Sequence, residues 1–130
     1  MPFVRISLPG TLSQVSKHEI SKGVHKALIQ EFNIPQDDYF HVIEELTASQ
    51  LLYPEHYLGV NHTKNIVYVH IFAGAGRTLG QKERLYAQIA QNIAAATEIL
   101  ASDVIIILME NNGRENWSFG NGEIQEIKHL

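Results

Sequence analysis

Cysteine is absent from all 130 residues, which removes disulfides and thiolate metal ligands together and fits the cytoplasmic setting expected here. Basic charge is in short supply. Ten Lys and Arg against fourteen Asp and Glu leave a net charge of −4, and the cations form no cluster. Neutralising phosphates needs clustered Lys and Arg, so no nucleic acid partner is expected. No apolar run approaches the roughly 20 residues of a membrane span and no signal segment precedes Pro2, so no membrane partner is expected either. The seven histidines lack ligand spacing: His18 and His25 share a helix face, His56 and His62 sit in a connection, and no His-x-x-x-His pair occurs. No metal is expected. Gly74-Ala75-Gly76 lacks the lysine that a phosphate loop needs, and reads instead as room for substrate beside the backbone. No cofactor is expected.

What is present describes an ordinary globular chain, 45% apolar and 18% charged, long enough for one domain (1–130) with its own core. Alternation opens it. Pro2, Val4, Ile6 and Leu8 fall on one strand face and Phe3, Arg5 and Ser7 on the other, until Pro9-Gly10 ends the run. From Ser13 to about Phe32 the period lengthens, with Ile20, Val24, Ala27, Leu28 and Phe32 at helical spacing. Ser13 can cap this helix, and Ser16-Lys17-His18-Glu19 is a competing capping box; Ile34-Pro35 breaks it. Phe40 to Leu46 reads as a second strand. Thr47 to Lys64 is a long connection, rich in Tyr, His, Gly and Asn, that admits a short strand at Leu51–Tyr53; connections of this length are often functional. Ile66 to Ala73 is a third strand. Thr78-Leu79-Gly80-Gln81 is a capping box for a second helix reaching about Glu98, with Leu85, Ile89, Ile93 and Ala96 as its buried stripe. Asp103 to Met109 makes a nearly all-apolar fourth strand, and the tail 111–130 carries the one tryptophan in Trp117-Ser118-Phe119-Gly120.

The chain thus reads β-α-β twice, over about 2–46 and 66–110. The halves superpose at one constant offset without a gap: Val4 on Val69, Ile6 on Ile71, Ser13 on Thr78, Ile20 on Leu85, Val24 on Ile89, Leu28 on Ile93, Ile34 on Ile99 and Asp38 on Asp103. Two such units with right-handed crossovers predict an α+β fold, a four-stranded sheet with two helices on one face. The other face would carry Phe3, Arg5, Ser7, Tyr68, His70 and Phe72. That set is too apolar to be wholly wet and too polar for a plain core, which suggests an oligomer packed sheet to sheet.

The first residues suggest chemistry. A small residue after the initiator methionine allows Met1 to be trimmed, and the mature chain would then open with Pro2 as a free secondary amine. Such a nitrogen can act as base or nucleophile, unlike that of an internal proline. With the doubled β-α-β, Ile34-Pro35-Gln36-Asp37-Asp38 after the first helix, Gly76-Arg77-Thr78 opening the second, and Glu110-Asn111 through Trp117-Ser118-Phe119-Gly120, the chain resembles the tautomerase superfamily over nearly its whole length. The resemblance is to the malonate semialdehyde decarboxylase-like branch and its tautomerase relatives above all.

That resemblance implies a tautomerase/MIF-like fold with a mixed sheet, a homotrimer, and catalysis without a cofactor by Pro2 and Asp38. A proline-based tautomerase moves a proton between carbon and oxygen of a small 2-keto acid, so Pro2 must be neutral. An α-amino group of pKa near 8 is only about 10% neutral at pH 7 and one near 6 about 90% neutral; a nearby cation or an apolar pocket shifts it that way. The branch's decarboxylases and hydratases instead keep the proline protonated as an acid. Arg77, between the third strand and second helix, is the candidate for the substrate carboxylate, with its planar fork and the helix-end N–H groups aimed together. The decarboxylase pattern has Arg-Pro-Arg where this chain has Ala75-Gly76-Arg77, which tilts the reading toward a general tautomerase. Asp38 reads equally as a turn former beside Asp37. Trp117 and Phe119 would wall the pocket, in their own subunit or a neighbour, or simply anchor the tail. The alternatives are a malonate semialdehyde decarboxylase/hydratase-like lyase and a non-catalytic oligomeric binding protein.

Overall fold

In the computed structural model, which describes residues 2–125, the chain runs β1 (Phe3–Pro9), α1 (Gln14–Phe32), β2 (Phe40–Leu46), β3 (His56–Tyr57), β4 (Val60–Asn61), β5 (Val67–Gly74), α2 (Leu79–Ala96) and β6 (Val104–Asn111). Four strands form one sheet in the order β2-β1-β5-β6. β1 is parallel to β2 and β5 to β6, whereas the central pair is antiparallel, with Val4 opposite Ile71 and Ile6 opposite Val69. Each parallel pair needs a crossover, and α1 and α2 supply them. The sheet is mixed, and the sequence repeat is its approximate two-fold symmetry.

One face of the sheet holds the core. Val4, Ile6, Leu8, Val67, Val69 and Ile71 are enclosed there by Ile20, Val24, Ala27 and Leu28 of α1 and by Leu85, Ile89 and Ile93 of α2. Each Val, Leu or Ile among them contributes about 1.5–3 kcal/mol by leaving water, so this single layer binds the two halves together. The helices run antiparallel across it. Ser16 Oγ donates to Glu98 (2.8 Å), Asn92 Nδ2 to the Gly23 carbonyl (3.0 Å) and Arg84 Nε to Glu31 (3.1 Å). Gly23 permits that approach, because a Cβ there would lie 3.2 Å from the Asn92 Cβ.

Both helices start where side-chain oxygens meet their orphan N–H groups. Ser13 Oγ accepts from the Ser16 N–H at 3.1 Å, and Thr78 and Gln81 form a reciprocal capping box. The competing box at Ser16 does not form, since the helix has already begun at Gln14 under the Ser13 cap, and the Ser16 hydroxyl donates to Glu98. α1 ends on Asn33 in the left-handed region (φ 56), an ordinary helix stop. Three expectations need correction. Ala96 is exposed, because α2 stops there and Thr97 turns the chain so that Ile99 re-enters the core. No strand forms at Leu51–Tyr53: Ala48–Gln50 is a 3-10 turn that buries Leu51, and the connection carries the β3–β4 hairpin. Asp103 lies outside β6, fully enclosed, where its carboxylate accepts the Thr63 N–H (2.7 Å) and hydroxyl.

The second face lies open. Phe40 (46%), Val42 (39%), Ile107 (44%) and Met109 (49%) remain exposed on the two edge strands, around a centre where Phe3, His70 and Phe72 pack ring to ring. No helix among the described residues is long and apolar enough to cross a membrane.

Candidate active site

Strand direction alone gathers the candidates. β1 and β2 begin, and β5 and β6 end, at the same end of the sheet, with Phe3 paired to both Phe40 and Phe72 and Gly74 to Asn111. Pro2 therefore stands at that end, and it is buried. Met1, whose removal the sequence reading expects, lies outside the described residues. Asp38, half-buried, sits two residues before β2, its N–H on the Pro35 carbonyl at 3.1 Å. The Gly74–Arg77 turn leaves β5, and the 111–113 turn leaves β6.

These turns and the end of α1 enclose a cavity of about 420 Å³, lined by residues 32–35, 74–77, Gln81 and 111–113. Arg77 is the one charged side chain on its wall among the described residues. Its Nη1 donates to the Gly74 carbonyl (2.9 Å), its Nη2 to the Phe32 carbonyl (3.3 Å), and the guanidinium lies over the Phe32 ring at 4.7 Å. Burial lowers its pKa, and the nearby Glu110 carboxylate works the other way. Glu110 is itself paired with Lys82 at 2.8 Å. No ion pair to Arg77 occurs among the described residues, so a partly desolvated cation faces the cavity without a counter-ion of its own. Gly76 makes this turn possible, since its φ of 115° is strained for a residue with a side chain.

The expected help from helix-end N–H groups is reduced. At the start of α2 the Thr78 N–H goes to Gln81 Oε1 (2.9 Å) and the Gln81 N–H to Thr78 Oγ1 (3.1 Å), which occupies the cap. Of the five sequence candidates only Arg77 lines the cavity; Pro2, Asp38, Trp117 and Phe119 do not. The aromatic pair nonetheless lies at the same end. Trp117 stacks on Phe119 (centroids 5.6 Å apart), Phe119 packs on Phe40 (5.2 Å), and the Trp117 indole N–H reaches Asn111 Oδ1 at 3.0 Å. The sequence reading singled out none of the amide side chains Asn33, Gln81, Asn111 and Asn112 that also border the cavity. One signal was available for Asn111, a polar residue closing a nearly all-apolar strand six residues before the lone indole, which needs an acceptor when part-buried. No group of three or more metal-ligating side chains occurs among the described residues.

Fold and site together define a scaffold of two β-α-β units with an arginine-lined cavity at one end of the sheet. Two family models, each described as a tautomerase enzyme, match residues 2–61 and 38–120. The probable tautomerase YusQ of Bacillus subtilis (strain 168) is 40% identical over 128 residues, covering 98% of this chain and all of that one. Among solved structures, FG41 malonate semialdehyde decarboxylase inhibited by 3-bromopropiolate is 32% identical with a TM-score of 0.88, over 95% of this chain and 92% of that one. A fused 4-OT described as a symmetric trimer shares the fold (TM-score 0.77, 18% identity, over 94% of each chain). The chain belongs to the tautomerase family.

Proposed function

We propose that this protein is a tautomerase of small 2-keto acids in which Pro2, freed by removal of Met1, is the general base. The observation that carries the reading is Arg77, a partly desolvated guanidinium with no ion pair among the described residues, on the wall of a cavity at the sheet end where Pro2 stands. A substrate carboxylate held there brings the adjacent keto carbon toward the same end. In this reading a neutral Pro2 nitrogen takes the proton from the carbon of the enol–keto pair or from its hydroxyl, and returns it at the other position. A cation at the same end of the sheet favours the neutral amine. Asp38 assists proton movement from the start of β2, and Trp117 with Phe119 supplies an apolar wall. Self-association through the open sheet face, as a homotrimer, completes the site's surroundings.

The test is a pH–rate profile together with an intact mass. The mass should correspond to a chain beginning at Pro2, and kcat/KM for enol conversion of an aryl pyruvate should rise with pH through the Pro2 pKa. A retained Met1 on most molecules would sink the amino-terminal base. A second reading is favoured by the 32% identical decarboxylase: with Pro2 cationic and acting as an acid on malonate semialdehyde, kcat/KM should fall as pH rises through the same pKa. The sign of the slope separates the two.

A further inference from the structure

The cavity has one cation for a carboxylate, yet a 2-keto acid carries a second oxygen that gains negative charge as its enol forms. We propose that Asn111 is the donor to that oxygen; the inference rests on the 2-keto acid reading above and assigns the group that recognises the keto function. Asn111 is the last residue of β6, paired with Gly74, and its carbonyl accepts the Ala75 N–H at 2.8 Å. Its backbone is thus tied to the turn that carries Arg77. Its side chain is tied as well. Oδ1 accepts the Trp117 indole N–H at 3.0 Å and lies 3.4 Å from the Gly113 N–H.

Both of those groups can only donate, so the oxygen end of the amide faces them and the nitrogen end is turned away. Nδ2 makes no hydrogen bond to any described residue and is not sealed from solvent, in a side chain that borders the cavity. It therefore offers N–H donors in a fixed orientation. The other amides differ. Gln81 uses Oε1 on the Thr78 N–H and Nε2 on the Glu31 carbonyl (3.4 Å). Asn33 and Asn112 are exposed, with no side-chain hydrogen bond to a described residue to orient them. A donor held in place before charge develops stabilises that charge without reorganising. Arg77 then reads the carboxylate, Asn111 reads the keto oxygen, and Trp117 positions Asn111.

The experiment compares binding of 2-oxobutanoate and butanoate by calorimetry, since the two differ only in the keto oxygen. Wild-type protein should prefer the 2-oxo acid by about five-fold, the worth of one neutral hydrogen bond. Asn111→Asp keeps an acceptor for Trp117 and loses the donor, so the preference should fall to about one even though both acids bind more weakly. Asn111→Leu should abolish it too, and Trp117→Phe, which releases the amide to rotate, should reduce it. Emission from the one tryptophan should match wild type in Asn111→Asp and shift in Asn111→Leu. A preference retained in Asn111→Asp would overturn the proposal and leave Asn111 as an anchor for the tail. If neither acid binds the wild-type protein, the carboxylate-site reading itself fails, and the donor assignment with it.

Discussion

Arg77 gathers its environment from three directions: carbonyls from β5 and from the end of α1, an aromatic face, and a glycine with positive φ before it. The arrangement positions the guanidinium, and among the described residues no carboxylate pairs with it, since nearby Glu110 is taken by Lys82. A charge-assisted hydrogen bond is worth about 1.5–3 kcal/mol. Arg77→Ala should therefore lower kcat/KM for a 2-keto acid by roughly ten- to a hundred-fold, mostly through KM, with a smaller loss on a substrate lacking the carboxylate. Arg77→Lys should recover only part, because a point charge cannot reproduce a two-pronged grip. Unchanged kinetics in Arg77→Ala would remove it from the site. His41 shows the opposite case, a titratable group whose surroundings reject its charge. It faces Ser21, whose Oγ lies 2.9 Å from Nδ1, with the His25 ring 5.9 Å and the Tyr39 ring 6.4 Å away. Burial, and secondarily His25, lowers its pKa from 6.5 to about 4. The unfolded chain thus binds a proton there that the folded chain refuses between those values. This group's contribution to stability is whole above about pH 6.5 and is lost as pH falls toward 4. His41→Gln should flatten the fall in melting temperature across that window, followed by circular dichroism; an unaltered slope would show that His41 is not responsible.

The helices are where sequence and structure meet most closely, because caps and periodicity are local. Thr78 and Gln81 satisfy each other's backbone N–H groups within four residues, so the start of α2 needs nothing from the rest of the fold. Thr78→Ala should cost about 1 kcal/mol in denaturant unfolding, and Thr78→Ser much less. A loss below a few tenths would mean that the cap is redundant. The core positions on both helices were legible for the same reason, as was the doubled β-α-β. Features made by distant partners were not. Lys17 is buried only because β2 brings Glu45 to it and the Gly10 carbonyl lies 3.2 Å from its Nζ. The repeat did contain a hint, since Lys17 and Glu45 fall on Lys82 and Glu110, the matching ion pair in the other half. Ala96 continued the apolar stripe by spacing, but the helix had already ended. The cavity was legible only through Arg77. Its amide lining comes from turns whose course depends on which strands end together, and spacing along the chain does not record that.

At the scale of the molecule the open sheet face is unbalanced. Four exposed apolar side chains on the edge strands flank a centre of packed rings, and leaving them wet wastes burial that a second copy can supply. Light scattering at micromolar concentration should give a mass near three chains, and Val42→Glu with Ile107→Lys should lower it without unfolding the monomer. A monomeric wild-type protein would refute the trimer. The approximate two-fold axis has a consequence of another kind. A duplicated chain has two clefts related by the repeat, one at each end of the sheet, but its halves have diverged: Leu12 stands at the position of Arg77, and Val67 at that of Pro2. Leu12 is buried in the core, and Lys17 at that end is already spent on Glu45. Among the described residues only the Arg77 cleft keeps a cation with no ion pair, so a carboxylate ligand should saturate at one equivalent per chain, and a trimer should count three sites where its symmetry offers six.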